Sequence, residues 1–269
     1  MSAEKISAAQ REIDWSQLIE QALTMPGNCS DVYNRFRVYS FQNQAYLWMQ
    51  GAREPVASLR KWNELGRRVI AGSKAYEIIV PIHARKDRND PDAEPAVIGF
   101  KPVRRIFTYS QTEGEPLPEV PIPAWDTELM LATLGITRVQ FRHNDSNLQG
   151  YSFGKSIAIN PFPVEPNNTL FHETAHVMLG DTTDEQLAEY QQHRGIFEFR
   201  AQAVAHLALN ELGLLTEEAA THSRGYIQNW TKGERPPDKA IKEVFSATDR
   251  ILKAGRLAVD NVIEGEGNE

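Results

Sequence analysis

The sequence predicts an α+β protein of two domains, and the pattern of its hydrophobic residues is the first reason. Apolar residues recur at helical spacing up to residue 72 and at the alternating spacing of strands from residue 76 onward. Residues 112–125, with four prolines, then separate this half from the rest as a semi-rigid connector would. We therefore predict a first domain at residues 1–118, a linker at 119–125 and a second domain at 126–269.

The charge of the chain is distributed unevenly and supports the same division. Between residues 33 and 105 there are 14 Lys and Arg against 7 Asp and Glu, a balance of +7. From residue 111 to the end there are 13 against 24, a balance of −11. A basic first half and an acidic second half indicate two domains with different partners.

The remaining composition predicts a globular protein in a reducing compartment. No apolar run approaches the length of a membrane span, and the first residues lack the apolar core of a secretory signal. The single cysteine, Cys29, excludes an internal disulfide framework. We expect a cytoplasmic protein with no membrane partner.

Regular elements are predicted in both halves. In the first half, helices are expected at 13–23, at 31–49 and from an N-cap at Ser58 to a close near Gly72, followed by strands at 76–82, 96–101 and 103–109. In the second half, helices are expected at 127–134, 168–180, 197–212 and 238–262, and strands at 139–142 and 156–160. Asn168 is the predicted N-cap of the second of these helices, and Gly135 and Gly180 end the first two.

The residues that carry chemistry lie in the predicted helix 168–180, within the pattern His-Glu-x-x-His. His172 and His176 are four residues apart, so both imidazoles lie on one helical face and can reach one metal ion. Glu173 points in a neighbouring direction, toward a water activated by that metal. Three polar side chains are costly to bury in so apolar a helix without partners, and the motif therefore predicts a metal site.

Zinc is the metal that this motif predicts. Zinc held by three protein ligands keeps one position open and lowers the pKa of water there to about 7. Glu173 as general base then takes the proton and delivers it to the leaving amine of a peptide. The pattern is typical of a zinc-dependent peptidase.

The first half interleaves cations with aromatic rings. Single-stranded nucleic acid is bound by cations that contact phosphates and by rings that stack on bases. Such rings are also common core residues, so this pattern alone leaves a structural role open. The residues that we predict to contact nucleic acid are Arg35, Arg37, Tyr39, Trp62, Arg67, Arg104 and Arg105.

Several motifs make the sequence similar to a known family. In the first half they are Tyr39-Ser-Phe-Gln-Asn43, Trp62-Asn-Glu-Leu-Gly-Arg67-Arg-Val-Ile-Ala-Gly72, Ile79-Val-Pro81 and Ser110-Gln-Thr-Glu-Gly-Glu-Pro-Leu-Pro118. In the second half they are Gly150-Tyr151, Thr169-Leu-Phe-His-Glu-Thr-Ala-His176, Arg194-Gly195 and Gly225-Tyr226-Ile227 with Trp230. In this order they resemble the ArdC-type antirestriction proteins over nearly the whole chain.

The resemblance implies an N-terminal α+β domain that binds single-stranded DNA and a C-terminal zincin-like metallopeptidase domain of the gluzincin type. It also implies carriage on a mobile element and a role in shielding incoming DNA. A zincin-like fold would place an edge strand that pairs with a peptide at 156–160, just before the metal-binding helix.

The gluzincin resemblance also implies a third metal ligand in the predicted helix 197–212. Glu198 is the ligand that the spacing favours. Asp181, just past the end of the predicted helix 168–180, is the alternative. Related sequences carry Glu-x-Glu-Ala-Glu where this chain has Arg200 at the middle position. A guanidinium beside zinc would repel the ion, so Arg200 predicts an empty or rearranged site if that middle position is the usual ligand.

Two other functions fit the same residues. One is a DNA-shielding protein whose metal site is structural or degenerate and performs no catalysis. The other is a peptidase that acts on a regulatory protein bound by the basic half. Zinc with an open position favours a peptidase, and salt-dependent binding of single strands favours a DNA-binding protein.

Overall fold

The computed structural model of the protein describes residues 13–34, 39–84, 96–117, 124–143, 145, 147–221, 223, 225 and 235–257. Its helices are α1 (Trp15–Ala22), α2 (Cys29–Tyr33), α3 (Phe41–Met49), α4 (Leu59–Glu64), α5 (Thr127–Leu134), α6 (Pro166–Leu179), α7 (Asp184–Glu211) and α8 (Asp238–Ala254). Its strands are β1 (Val56–Ser58), β2 (Arg67–Val69), β3 (Tyr76–His83), β4 (Val97–Thr108), β5 (Thr112–Gly114), β6 (Thr137–Arg138), β7 (Gly150–Phe153) and β8 (Ser156–Ile159). Both halves combine helices with strands, which confirms the α+β class.

In the first half, β4 lies between β1 and β3 in an antiparallel sheet, and β2 pairs with β5. Ser58 caps α4 as predicted, since its hydroxyl accepts a hydrogen bond from the amide of Lys61 at 3.3 Å. Three predicted boundaries are wrong. Helix α4 ends at Glu64 because β2 follows it, the predicted strands 96–101 and 103–109 are one strand, β4, and the predicted helix 31–49 is interrupted between α2 and α3.

In the second half, β8 pairs with β6 on one side and with β7 on the other. The expectation of an edge strand at 156–160 is therefore wrong: β8 is central, and β7, which the sequence did not predict, lies at an edge of the described sheet. The predicted strand 139–142 is also wrong, because the pairing with β8 occurs earlier, at β6.

The helix ends in this half follow from local chemistry. Helices α5 and α6 end as predicted at Gly135 and Gly180, whose positive φ values of 66° and 80° suit glycine. Helix α6 begins earlier than predicted, with Pro166 in its first turn, so the expected N-cap at Asn168 is wrong. Helix α8 ends at Gly255 and does not reach the predicted residue 262.

The two halves share one hydrophobic core, to which α1, α3, α6, α7 and α8 all contribute. The carboxylate of Glu211, at the end of α7, accepts hydrogen bonds from the amides of Cys29 and Ser30 at 3.0 and 2.7 Å and so caps α2. Burial raises the pKa of Glu211, although these hydrogen bonds oppose the shift. The domain boundaries at 118 and 126 remain a prediction, but the described parts of the two halves fold against each other.

None of the described helices combines the length and the apolar character needed to cross a membrane.

Candidate metal centre

Helices α6 and α7 pack so that three ligand atoms converge. The Nε2 atoms of His172 and His176 lie 3.1 Å apart. Oε2 of Glu198 lies 3.3 Å from Nε2 of His172 and 3.9 Å from Nε2 of His176. The three atoms fall within 4.8 Å of one another, so the structure brings together the residues that the sequence predicted as ligands.

The other ring nitrogen of each histidine is held by an oxygen acceptor. Asp181 Oδ2 lies 3.0 Å from Nδ1 of His176, and Gln202 Oε1 lies 3.1 Å from Nδ1 of His172. The amide of Gln202 is oriented by its NH2 group, which donates to Ser223 Oγ at 2.7 Å and to Asn168 Oδ1. Both Nδ1 atoms therefore donate, and both Nε2 atoms present lone pairs to the same point.

Three acceptors that face one another need a cation between them. Burial lowers the pKa of His172, but the hydrogen bond to Glu198 and the charges of Glu173 and Glu198 outweigh burial and raise it. The same negative potential that favours a proton there favours a divalent metal. Two imidazoles and a carboxylate are a usual ligand set for catalytic zinc, so the residues fit such an ion.

Glu173 is positioned by strand β7. Ser152 donates its hydroxyl to Glu173 Oε2 at 2.7 Å, and the carboxylate is buried. This close approach requires Gly150, because a Cβ atom there would lie 2.8 Å from Cγ2 of Thr169 and 3.1 Å from Cγ of Glu173. The sequence motif Gly150-Tyr151 was noticed, but Ser152 was missed since no local pattern connects it to α6.

The two residues that complicated the sequence prediction do not act as expected. Asp181 is held at Nδ1 of His176, on the ring edge away from Nε2, so its alternative role as third ligand is wrong in this structure. Arg200 donates to Asp181 and to Glu243. Gln202, four residues after Glu198 and therefore on the same helical face, was missed, although its spacing was a usable signal.

Three of the predicted nucleic-acid contacts are buried, so those predictions are wrong for this structure. Trp62 is 0% exposed and donates its indole N–H to the carbonyl of Phe107 at 3.0 Å. Tyr39 is also a core residue. Arg67 donates to the carbonyls of Thr112 and Gly114, the first and last residues of β5, and its guanidinium lies 4.2 Å from the Tyr109 ring centre.

The predicted arginine contacts of this half differ in their exposure. The side chain of Arg104 is 63% exposed and forms an ion pair with Glu77 at 2.9 Å. Arg105 is half-buried. Arg68, one of the interleaved cations but not one of the predicted contacts, is exposed on β2 beside the buried Arg67. Arg35 and Arg37 lie outside the described residues.

The chain is similar to known proteins. Residues 3–113 match a family described as the N-terminal domain of anti-restriction factor ArdC. The metal-free crystal structure of the antirestriction ArdC protein from R388 plasmid is similar at 19% identity with a TM-score of 0.52, over 90% of this chain and 98% of that chain. The Mn(II)-bound structure of the same protein gives 18%, 0.51, 91% and 98%. No curated protein matches the chain.

Residues 3–113 thus form an ArdC-type N-terminal domain, and the chain has the ArdC fold over most of its length. The resemblance predicted from the sequence motifs is confirmed.

Proposed function

We propose that this ArdC-type chain is a cytoplasmic antirestriction protein that binds single-stranded DNA, protects the DNA of a mobile element and carries a metal-dependent peptidase site. The peptidase part rests on one observation, the convergence of His172, His176 and Glu198 beside Glu173. The DNA-binding part is supported by the family match over residues 3–113 and by the basic balance of that half.

A divalent metal held by His172, His176 and Glu198 would supply Lewis-acid activation of water and of a peptide carbonyl. Glu173 is the general base: it takes the proton of the attacking water and passes it to the leaving nitrogen. The hydroxyl of Ser152 supports this role, because its hydrogen bond to Oε2 holds the carboxylate in a fixed position. Asp181 and Gln202 fix the ring orientations, so that both histidines offer Nε2.

We propose zinc as the metal, since two histidines and a carboxylate are the ligands of many catalytic zinc sites. The similar ArdC protein has been solved with Mn(II) bound, which supports a divalent metal in this fold without choosing zinc. Metal analysis of protein purified without chelators should find about one zinc per chain. Manganese alone would correct the identity of the metal, and no metal after incubation with either ion would overturn the peptidase site.

The role of Glu173 is tested by Glu173→Gln, which keeps the shape of the side chain and removes the base. We expect zinc binding to persist and hydrolysis of a fluorescently labelled, unfolded casein to disappear. Hydrolysis that survives this substitution would overturn Glu173 as the base. Binding of single-stranded DNA should be unchanged, because the proposed contacts lie in the first half.

A second candidate function is a DNA-shielding protein with a structural metal site. It is favoured by burial: the side chains of His176 and Glu198 are almost inaccessible, and His172 is only slightly exposed. In that case zinc removal lowers thermal stability, and the loaded wild-type protein shows no hydrolysis. Zinc-dependent hydrolysis that Glu173→Gln removes decides against this candidate.

For the DNA-binding half, we propose that phosphate contacts by exposed cations carry most of the affinity. Arg104 and Arg68 remain as exposed candidates, whereas both predicted stacking rings, Tyr39 and Trp62, are in the core. Fluorescence anisotropy with a labelled oligothymidine at several salt concentrations tests this. We expect the logarithm of the binding constant to fall linearly with the logarithm of the salt concentration. No binding at low salt would overturn the proposal.

A further inference from the structure

A chain of charged side chains connects the metal centre to the last helix. Asp181 uses Oδ2 to accept from Nδ1 of His176 at 3.0 Å and Oδ1 to accept from NH2 of Arg200 at 2.7 Å. The other terminal nitrogen of Arg200, NH1, donates to Oε2 of Glu243 on α8. The order of contacts is therefore Glu243, Arg200, Asp181 and His176.

The inner part of this chain is buried. The side chain of Asp181 is 2% exposed and that of Arg200 is 12% exposed. A buried carboxylate is costly unless it is paired, and each oxygen of Asp181 has a partner. The guanidinium of Arg200 also lies 4.5 Å from the ring centre of Phe197, which restricts its rotation further.

The backbone delivers Asp181 to this position. Gly180 ends α6 with a φ of 80°, and the amide of Asp181 donates back to the carbonyl of His176 at 3.0 Å. The turn brings the Asp181 side chain within reach of the His176 ring. It does not fix the second oxygen, which Arg200 holds from the neighbouring helix α7.

Arg200 has two opposite effects on a metal ion. Its positive charge repels the ion, whereas its hold on Asp181 keeps the His176 ring oriented and its Nε2 basic. The guanidinium lies between two carboxylates, Asp181 and Glu243, so this trio carries a net charge of −1 and the repulsion is offset. The geometry thus favours the orienting effect of Arg200 over its repulsion of the metal.

We propose that Arg200 is a positioning residue of the metal centre, which raises its affinity for metal by fixing Asp181 against His176. This inference rests on the proposed metal site. It reverses the expectation from sequence that a guanidinium at this position empties the site.

The affinity of apo protein for zinc, measured by competition with a chromophoric chelator, tests the proposal. We expect Arg200→Gln to weaken zinc binding about 10–100-fold, the usual effect of losing a group that orients a metal ligand. Asp181→Asn should weaken it similarly. If Arg200 acts through Asp181, the double variant should bind zinc no more weakly than Asp181→Asn alone.

Lys239→Gln is the matched control. Lys239 lies 3.8 Å from the other oxygen of Glu243 and its side chain is 89% exposed, so the change removes one positive charge near the trio without touching Asp181. We expect its zinc affinity to equal that of wild type. Arg200→Lys, which keeps the charge but not the two-sided guanidinium, should lie between wild type and Arg200→Gln.

Unchanged zinc affinity in Arg200→Gln would overturn the positioning role, and increased affinity would overturn it in favour of simple repulsion. Circular dichroism of each apo variant shows whether a change in zinc affinity is due to misfolding. If Arg200→Gln does not fold, the zinc affinity of Arg200→Lys tests the positioning role instead. If wild type binds zinc and the variants bind it equally well, only this inference is overturned. Failure of wild type to bind zinc overturns the proposed site, and this inference with it.

Discussion

The residues predicted for the metal centre lie together in the structure, whereas several residues predicted for DNA contact in the basic half are buried. In the metal centre, His172, His176 and Glu198 meet with their ligand atoms within 4.8 Å. In the basic half, Trp62, Tyr39 and Arg67 point into the protein instead of toward a partner. The two histidines were predicted from their spacing, Glu198 from its position in a helix to which the family resemblance points, and the nucleic-acid contacts from composition.

Residue spacing and residue composition carry different structural information. Residues four apart on a helix share a face whatever the rest of the chain does, because the backbone hydrogen bonds fix that geometry. An alternation of arginines and rings indicates only that charged and aromatic residues are neighbours in the sequence. Which of them face the core is decided by packing.

The largest effect expected is on stability and belongs to Trp62. Trp62→Ala should lower the free energy of unfolding by about 3–5 kcal/mol, because it removes a fully buried ring and leaves a cavity. Trp62→Phe should cost less, since it keeps most of the volume but leaves the carbonyl of Phe107 without the indole donor. Urea denaturation measures both.

Unchanged stability of Trp62→Ala together with weaker oligothymidine binding would contradict this prediction. That result would place the ring at the DNA surface, as the composition first suggested. The salt dependence of binding in folded Trp62→Phe should equal that of wild type, because no cation is removed.

A smaller effect is expected at Gly150, in the metal half. Gly150→Ala should cost about 1–3 kcal/mol through overlap with Thr169 and Glu173. It should reduce hydrolysis by displacing Glu173 while zinc affinity stays close to wild type, since the three ligands lie on α6 and α7. Calorimetry, zinc titration and the casein assay separate these outcomes.

Gly99→Ala is the control for Gly150. A Cβ atom at Gly99 would meet Cδ1 of Ile82 at 3.7 Å, an ordinary contact, so we expect little change. If Gly150→Ala is as mild as this control, β7 does not constrain Glu173 as the structure indicates.

The smallest effect on stability is expected at Arg104. The Arg104 side chain is 63% exposed, and its partner Glu77, which is 15% exposed, keeps the hydrogen bond from the Tyr46 hydroxyl. Arg104→Ala should therefore change the free energy of unfolding by less than about 1 kcal/mol. It should nevertheless weaken oligothymidine binding and reduce the salt slope by about one, the effect of one lost phosphate contact.

Arg138→Ala sharpens that test. Arg138 is 47% exposed and pairs with Glu128 at 3.4 Å, but it lies in the acidic half. The affinity and the salt slope of this variant should match wild type. Equal losses in Arg104→Ala and Arg138→Ala would mean that DNA binding is not confined to the basic half.

By itself, the sequence determined what local geometry controls. The helical repeat placed His172, Glu173 and His176, and glycines with positive φ ended α5 and α6 where expected. The sign of the charge in each half is also a property of the sequence alone. None of these features requires a contact between distant segments.

Tertiary structure decided the rest. The packing of α7 on α6 set Glu198 at the histidines and directed Gln202 to Nδ1 of His172, a pairing 30 residues apart in the chain. The pairing of β2 with β5 enclosed Arg67, and the pairing of β7 with β8 brought Ser152 to Glu173. Such choices depend on which apolar faces bury each other over the whole chain, and no short stretch of sequence contains that information.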